Sequence, residues 1–475
     1  MVTFKTRTHS RLLSNILYWI DKNRWLLIAL LAGLVLNLIP TPGDISEPGW
    51  RTLSIAVMVL ILIVSEALPL AGVALFIAVA QVVMGIADSA MVASTFMSDA
   101  VFFIMGSLML AAAIIHQGLD ARLALGIIRI TGNKTSRIMI GLLVISAILS
   151  SFIGSHTVVA MLLPVGMTLV RYTATDKKQT VNLSALLLFS IAYGATIGSV
   201  GTPSGGARNA IILGYWQDLN ITEIDYLAWM KYVYPLLILE LPFAVLVLRW
   251  VFKPEYNNLD SAVRKLKVKV AHSGIMTGQQ KLSVFFFLLT FLGWITLSQR
   301  LGLGIIAIAG VLLYLAFGLV SWDDINRNTN WGVVLLFAAA ISLGVQMRRT
   351  GTALWVADNL IGLTGDMMAA SMPLRDAFIM IITTTMANTL SAAATVAILG
   401  PININLGGDP VTAGFITAIS SAFGYFTATA APATMIIYSS GMVRSKQFLR
   451  AGWRMGLVSM ALLMLVTMLY WPMIR

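Results

Sequence analysis

Charged and ionisable side chains lie inside apolar stretches of this chain, and they are its first candidates for chemistry. Arg208 falls in the segment 193–209, where five glycines and a proline prevent a continuous helix. Unwound backbone exposes carbonyl groups to a cation, while the resumed helix offers free N–H groups to an anion. His156 lies in a predicted polar break over 150–157, at the centre of the uncharged run 138–170, and could donate to a carboxylate or take up a proton.

Two carboxylates also lie within predicted apolar helices. Glu66 and Glu240 are each followed closely by a proline, and either could relay a proton or a sodium ion. Structural roles remain open for all four residues: the glutamates could bond backbone groups freed by the prolines, Arg208 could tie a carbonyl, and His156 could pack as a neutral ring. The sequence alone does not choose between these roles.

The run 138–170 predicts the element that positions His156. It is too long for one membrane crossing of about 20 residues and too short for two, and Lys or Arg flanks it on both sides. Two half-crossings that enter and leave at the same face fit these limits, so we predict a re-entrant hairpin. A second hairpin is predicted over 377–402, where polar residues interrupt an apolar pattern and a proline closes it.

Composition sets the class of the whole chain. Of its 475 residues, 58% are hydrophobic and 11% charged, against about 25% charged in soluble domains. The net charge of +12 comes from cations in short loops beside apolar runs, which favours membrane orientation over nucleic-acid binding. No cysteine is present, which excludes disulfides and thiol catalysis. We predict an all-α polytopic membrane protein in the lipid bilayer.

Apolar segments separated by charged or turn residues predict about eleven crossings. They lie near 25–40, 52–70, 71–87, 101–118, 183–198 with 209–216, 227–251, 282–298, 303–320, 331–347, 410–440 and 452–472. Basic loops favour the cytoplasm, which places the N-terminal segment 1–24 inside and the C-terminus outside. Between them the chain divides into a first half, 25–252, a basic cytoplasmic linker, 253–281, and a second half, 282–475.

The two halves of the sequence contain similar stretches. The stretch 154–164 (GSHTVVAMLLP) resembles 391–401 (SAAATVAILGP), and a helix break at Pro203 resembles one at Pro432. Weak echoes of this kind are typical of inverted repeats. An odd number of intervening crossings predicts that the second hairpin enters from the opposite face, so that the two tips could meet at the midplane.

Several stretches spread over the chain form a recognisable set. They are Phe103–Ser107, Gly118–Ala124, the first hairpin, the break at Thr202 and Pro203, Trp331–Leu336, and Gly441 with the basic residues that follow it. With this set the chain resembles the divalent anion:sodium symporter family. That family contains sodium-coupled di- and tricarboxylate and sulfate carriers and related dicarboxylate exchangers.

The resemblance implies a homodimer in which each protomer has a scaffold and an elevator-like transport domain. Two opposed hairpins with Ser-Asn-Thr tips would hold a small anionic substrate and sodium ions, with no enzymatic cofactor. From the residues and the resemblance together, the predicted substrate-binding residues are Gly154, Ser155, His156, Thr157, Thr202, Pro203, Arg208, Asn388, Thr389, Ser391 and Pro432. The implied ion-coupling residues are Ser151, Ser155, Gly198, Thr202, Asn209, Thr429 and Thr434.

The sequence departs from the family pattern at both tips. The first motif falls on 154–156 by spacing and on 155–157 by residue type, and the second falls on 391–393 or on 387–389. Arg208 stands where the family usually has an uncharged residue. A fixed cation there, or a protonated His156, could replace a bound sodium ion.

These observations predict a secondary transporter for small divalent anions in a bacterial inner membrane, with C4 dicarboxylates as the first expectation. Sulfate or a sulfonate fits the charge equally, and coupling to sodium, to protons or to a counter-anion stays open. An anion channel would need a continuous polar path, which two broken hairpins disfavour. A membrane enzyme acting through Ser155 or His156 is disfavoured because neither a GxSxG nor an HExxH motif is present.

Overall fold

The computed structural model describes residues 23–65, 67–117, 130–173, 180–221, 224–271, 276–364, 371–428 and 430–474. Across these ranges the chain is helical, and the one β-bridge recorded there joins Lys134 to Asn258. Eight of the described helices are long and apolar enough to cross a membrane. Most of the predicted N-terminal segment and the stretch Gly118–Ala124 lie outside the described residues.

The first half contains ten described helices, and the linker and second half contain twelve. The first ten are α1 (Arg24–Leu38), α2 (Glu47–Val64), α3 (Leu70–Val83), α4 (Ser89–Phe96), α5 (Asp99–His116), α6 (Thr135–Ile153), α7 (Ser155–Arg171), α8 (Val181–Gly198), α9 (Ala207–Asp218) and α10 (Tyr226–Val251). The others are α11 (Asp260–Ala271), α12 (Gly278–Leu301), α13 (Leu303–Ala316), α14 (Trp322–Asn328), α15 (Trp331–Arg349), α16 (Thr352–Thr364), α17 (Met372–Ala387), α18 (Ala392–Asn405), α19 (Pro410–Ser420), α20 (Pro432–Ser439), α21 (Ser445–Leu465) and α22 (Trp471–Ile474).

Each predicted apolar segment overlaps one or two of these helices. The segment 410–440 holds both α19 and α20, which are separated by a break like the one between α8 and α9. Shorter apolar helices accompany the eight long ones, among them α1, α3 and α13. The count of eleven crossings therefore stays a prediction.

Contacts between loops identify the two ends of the helical bundle. At one end, the Leu259 amide donates to the Asn133 carbonyl (2.9 Å) and the Asn182 amide to the Glu255 carboxylate (2.8 Å). Gln280 donates to the Gln117 carbonyl at the same end (2.9 Å). These contacts join loops that the charge pattern assigns to one face, so this end is called the basic end.

A second group of contacts joins loops that the sequence assigns to the opposite face. Ser46 donates to the Thr350 carbonyl (3.0 Å), and Gln299 donates to Asp225 (3.0 Å). The Asp99 carboxylate accepts from the Leu303 amide (3.1 Å). Each of these contacts joins two loops that the sequence assigns to one face, and the alternation of helix ends stays a prediction.

Helix α8 lies at the centre of the core. Of its 18 residues, 89% are buried. In α12, by contrast, only 22% of an 18-residue stretch is buried, and the exposed side chains of Phe285, Leu288 and Leu292 suit contact with lipid. Since a helix that is apolar all round must be covered by protein or lipid, α8 needs neighbours on every side. It packs against α6, α7, α10 and α20.

In each half, the helix that follows the break packs against the hairpin of the other half. Helix α9, which follows the first break, packs against α18 of the second hairpin, and α20, which follows the second break, packs against α7 of the first hairpin. Helices α10 and α21, which end the two halves, also pack together. Each half therefore completes the surroundings of the other half's hairpin.

Candidate functional site

The first hairpin consists of α6 and α7 joined by a single residue. Gly154 has a φ of +83°, in the left-handed region that favours glycine, and this lets the chain reverse between the two helices. The sequence predicted a polar break over 150–157, but Ser150 and Ser151 continue α6 and Ser155 begins α7. The interruption is narrower than predicted because glycine alone supplies the turn.

The segment 193–209 is also more helical than predicted. Gly194 and Gly198 lie inside α8, where a Cβ atom would fall 2.2 Å from the Leu143 carbonyl oxygen and 2.0 Å from that of Ala147. These glycines let α6 and α8 pack backbone to backbone, as small residues four apart do in membrane helices. The first break is therefore Ser199–Gly206, of which Pro203–Gly205 form a 3-10 turn.

Hydrogen bonds tie the first break to the first hairpin. The Ser151 hydroxyl donates to the Ala147 and Gly198 carbonyls (3.0 and 2.8 Å), and Thr202 donates to the Ser151 carbonyl. The Asn209 amide donates to the carbonyls of Ser199 (2.9 Å) and Thr202 (2.7 Å). All of these side chains are buried, so break and hairpin form one unit.

Three carbonyl oxygens converge beside Gly205. The oxygens of Ser151 and Ser199 lie 2.7 Å, and that of Ser150 2.9 Å, from the position that a Cβ of Gly205 would occupy. Ser150 and Ser151 belong to the last turn of α6, whose carbonyls lack partners within the helix. The Asn209 Oδ1 atom is buried, and no described residue donates a hydrogen bond to it. Oxygen ligands of this kind suit a hard cation such as sodium.

The N-termini of two helices lie beside these oxygens. Helix α7 begins at Ser155 and α9 begins at Ala207, and neither N-terminus has a side-chain cap. A Cβ on Gly154 would lie 3.8 Å from the Gly205 carbonyl oxygen, so the two helix starts are neighbours. Ser155 and His156 are half-buried, and within the described part of the chain their side chains make no hydrogen bond. Free N–H groups at two helix starts suit an anion.

Arg208 lies in the first turn of α9 and is buried, with 8% of its surface exposed. Its Nη2 atom donates to the Ser199 hydroxyl, while its buried Nε atom has no hydrogen-bond partner among the residues that the structure describes. The guanidinium carbon lies 3.4 Å from the Cβ position of Gly206. Arg208 therefore brings a fixed positive charge to the first break, and it does not snorkel to the surface.

The second hairpin runs longer than the predicted 377–402, since it consists of α17 and α18 joined by Asn388–Ser391. The Asn388 side chain donates to the carbonyls of Thr384 (2.8 Å) and Phe423 (3.1 Å) and accepts from the Phe426 amide (2.9 Å). Every polar atom of this side chain thus has a backbone partner. Asn388 ties the second tip to the second break, which lies between α19 and α20.

The other predicted site residues of the second half form hydrogen bonds with residues close to them in sequence. Thr389 donates to the Met386 carbonyl (2.9 Å), and the Ser391 hydroxyl accepts from the Ala394 amide (3.3 Å) as the cap of α18. Thr434 donates to the Ala431 carbonyl (2.7 Å) at the start of α20. Pro432 begins that helix, while Thr429 lies outside the described residues.

Of the two predicted intramembrane carboxylates, Glu66 lies outside the described residues. Glu240 lies in α10 with 1% of its surface exposed. Its carboxylate accepts from the hydroxyl of Ser459 in α21 and from that of Tyr425 in the second break (3.4 Å). Its partners are hydroxyls, and neither is a backbone group freed by a proline.

Sequence reasoning missed Ser150 and Ser199, which contribute carbonyl oxygens to the cluster beside Gly205, and Tyr425 and Ser459, which surround Glu240. Any residue type supplies a carbonyl oxygen, so no sequence signal marks the first pair. Tyr425 follows a glycine within a polar interruption, and this was a usable signal of a helix break.

In the described part of the chain, the helical fold with eight candidate spans, two helical hairpins and two broken helices is consistent with the class of polytopic membrane transporters. Residues 21–475 match the model of the family described as the sodium:sulfate symporter transmembrane region, and the chain belongs to this family. The resemblance inferred from the hairpins and the breaks is confirmed.

Three relatives agree with this placement. An uncharacterized transporter of Haemophilus influenzae is 27% identical over 456 residues, which cover 92% of this chain and 94% of the relative. The sodium-dependent dicarboxylate transporter SdcS of Staphylococcus aureus is 26% identical over 477 residues, covering 94% and 92%. The protein of the same name from Staphylococcus saprophyticus is 24% identical over 469 residues, covering 92% and 90%.

Proposed function

We propose that this protein is a secondary active transporter that carries a small divalent anion together with sodium by alternating access. The observation that supports it best is the meeting of four helix ends at the first tip and first break. The C-terminal ends of α6 and α8 present carbonyl oxygens, and the N-terminal ends of α7 and α9 present N–H groups. Opposite ends of helix dipoles side by side suit a cation and an anion bound together.

Sodium would bind at the carbonyl cluster of Ser150, Ser151 and Ser199, with the unpartnered Asn209 Oδ1 as a further ligand. Several neutral oxygens held by packed backbone suit a weakly hydrated monovalent cation better than they suit a divalent one, since they bring no carboxylate. The family's description and the names of the SdcS relatives support sodium as the coupling ion.

The anion would bind at the N-terminus of α7, where Ser155 and His156 are half-buried and Thr157 lies directly below them. Arg208 adds a full positive charge nearby, in the first turn of α9. A substrate with two anionic ends can use both this tip and the second tip, which favours a C4 dicarboxylate such as succinate. Sulfate and sulfonates remain the alternative substrates.

Sodium-independent anion exchange is the second candidate, and the position of Arg208 favours it. The guanidinium contacts Ser199, the residue whose carbonyl belongs to the sodium cluster. A fixed charge there can take the electrostatic place of a bound ion. Arg208→Gln separates the two candidates: it abolishes exchange if the arginine replaces sodium, and it lowers substrate affinity while sodium dependence persists if the arginine binds the anion.

The wider architecture remains part of the proposal. The crosswise packing of the halves supports an inverted repeat, and the agreement of loop contacts with loop charge supports a cytoplasmic basic end and an outer C-terminus. The homodimer, the elevator-like movement and the bacterial inner membrane are carried over from the family resemblance.

A thermal-shift screen of the purified protein tests the assignment of substrate. Succinate, malate, citrate, sulfate and a sulfonate are compared with and without sodium, since ligands that bind the folded state raise its unfolding temperature. We expect stabilisation by C4 dicarboxylates that is greater in sodium than in choline. Stabilisation by sulfate alone would indicate that the substrate is an inorganic anion and not a dicarboxylate.

A further inference from the structure

Glu240 forms a buried site that the proposed binding of sodium and anion does not use. Its carboxylate accepts hydrogen bonds from the hydroxyls of Ser459 and Tyr425, and 1% of the residue's surface is exposed. Among the residues that the structure describes, no Lys, Arg or His nitrogen lies within 4.0 Å of it. A buried carboxylate without a cation is strongly unfavourable when ionised, because two hydroxyl donors replace only part of its hydration.

In the described ranges, the helices around Glu240 place their cationic side chains elsewhere. On the α21 side, the guanidinium of Arg454 lies instead over the rings of Trp250 (4.7 Å) and Trp453 (4.4 Å). Helices α6 and α12, and α10 itself, carry their Lys and Arg residues only towards their ends. From α8, the neutral Tyr193 packs against Tyr425, with ring centroids 4.9 Å apart.

Arg208 lies in the first turn of α9, at the first break. Its hydrogen bond goes to Ser199, so it is not the partner of Glu240. The groups that titrate or carry charge around the site are therefore Tyr425, Tyr193 and, more remotely, Arg208.

We propose that Glu240 is a proton-binding site and that its protonation is linked to the position of the second break. A proton removes the uncompensated charge, and the protonated carboxyl can still accept from the two hydroxyls. When the proton leaves, the negative charge holds the Tyr425 hydroxyl more strongly, because hydrogen bonds to charged acceptors are stronger.

A chain of contacts connects Glu240, through Tyr425, to the second hairpin. The Tyr425 carbonyl oxygen lies 2.2 Å from the Cβ position of Gly452, and the Phe426 ring lies 2.6 Å from that of Gly456, so the break rests directly on α21. The Phe426 amide in turn donates to Asn388 at the second tip (2.9 Å). A shift of Tyr425 therefore reaches the tip without an intervening loop.

The linkage to substrate rests on the proposed function, in which the second tip receives one end of the anion. Protonation of Glu240 removes a negative charge from the neighbourhood of an anionic ligand, so anion binding is favoured at lower pH. Because linkage is reciprocal, anion binding must also favour uptake of the proton. One linked proton changes the anion affinity by up to about tenfold per pH unit.

The test uses the purified full-length protein, wild type and Glu240→Gln. Affinities for sulfate, which stays doubly charged, and for succinate at constant dianion concentration are measured from mildly acid to mildly alkaline pH. Infrared spectra recorded over the same range follow the protonated carboxyl band. In the wild type we expect affinity to fall by up to tenfold per pH unit while the band disappears, and we expect both effects to be absent in Glu240→Gln.

Two further variants keep the result interpretable. Ser459→Ala removes one hydroxyl donor and should move the midpoint of the band to higher pH, whereas Ser439→Ala, which removes an exposed hydroxyl, should leave it unchanged. A pH dependence that is equal in wild type and Glu240→Gln, or a wild-type band that survives in Glu240→Gln, would overturn the proposal. Failure of the wild type to bind either anion would contradict the proposed function, while the infrared band tests Glu240 independently.

Discussion

Gly205→Ala is the sharpest perturbation of the proposed sodium site. Glycine at this position is not required by its backbone angles, so the substitution acts through space alone. The new methyl group would lie 2.7 Å from the carbonyl oxygens of Ser151 and Ser199 and 2.9 Å from that of Ser150. Backbone atoms at these distances must move, and they are the proposed sodium ligands.

The magnitude follows from the cost of overpacking. Forcing a methyl group into a packed interior costs about 1–3 kcal/mol, and the strain is relieved when the carbonyl cluster opens. If all of it falls on the sodium-bound form, the half-saturating sodium concentration rises roughly 5- to 150-fold. Uptake of succinate into proteoliposomes, measured against sodium concentration, gives this value directly.

Gly206→Ala is the matched control. Its backbone is extended, with a φ of −164°, and its methyl group would meet the Ser199 oxygen at 3.2 Å and the Arg208 guanidinium carbon at 3.4 Å. Small adjustments relieve such contacts, so we expect a change in sodium dependence of at most about threefold, well under 1 kcal/mol. The reasoning is refuted if Gly205→Ala transports with a sodium dependence within twofold of the wild type.

Three further predictions concern stability, the second break and topology. Asn209→Ala removes the donor of two buried carbonyl oxygens and should destabilise the protein by at least about 2 kcal/mol, measured by thermal unfolding in detergent. Gly452→Ala puts a methyl group 2.2 Å from the Tyr425 carbonyl oxygen and should reduce the initial uptake rate at least about tenfold by displacing the break. Because the chain lacks cysteine, Asp44→Cys should react with an impermeant maleimide in intact cells, and Asn257→Cys only after permeabilisation.

Each of these experiments has a control within the chain. Asn359→Ala removes an exposed bond to the Trp355 carbonyl and should change stability by less than about 0.5 kcal/mol. Gly278→Ala meets no atom within 4 Å and should transport normally. Equal losses in Asn209→Ala and Asn359→Ala, or labelling of both cysteine variants in intact cells, would contradict the corresponding assignments.

The hairpins could be predicted because length and charge constrain them strongly. A run such as 138–170 has one arrangement that satisfies both the membrane thickness and the basic flanks, and the structure contains it as α6 and α7. Turn positions were harder to predict, because a polar residue such as Ser150 is compatible with helix when its hydroxyl donates to a carbonyl of the preceding turn, here that of Ala147 (3.3 Å). Only the positive φ of Gly154 fixes where the chain reverses.

The chemistry of individual side chains could be predicted less well. Asn388 has the right amide for a substrate ligand, yet the same amide satisfies three backbone groups of the second tip and second break. Residue type does not distinguish these uses. The partners of Glu240 come from residues 185 and 219 positions further along the chain, and no local pattern brings them together.

Sodium-coupled anion transport at the meeting point of α6, α7, α8 and α9 is the central claim. Its most direct test is the uptake of labelled succinate into proteoliposomes under an inward sodium gradient, with choline replacing sodium in the control. We expect uptake above the equilibrium level that collapses in choline and is strongly reduced in Gly205→Ala but not in Gly206→Ala. Equal uptake in sodium and choline, unaffected by Gly205→Ala, would contradict it.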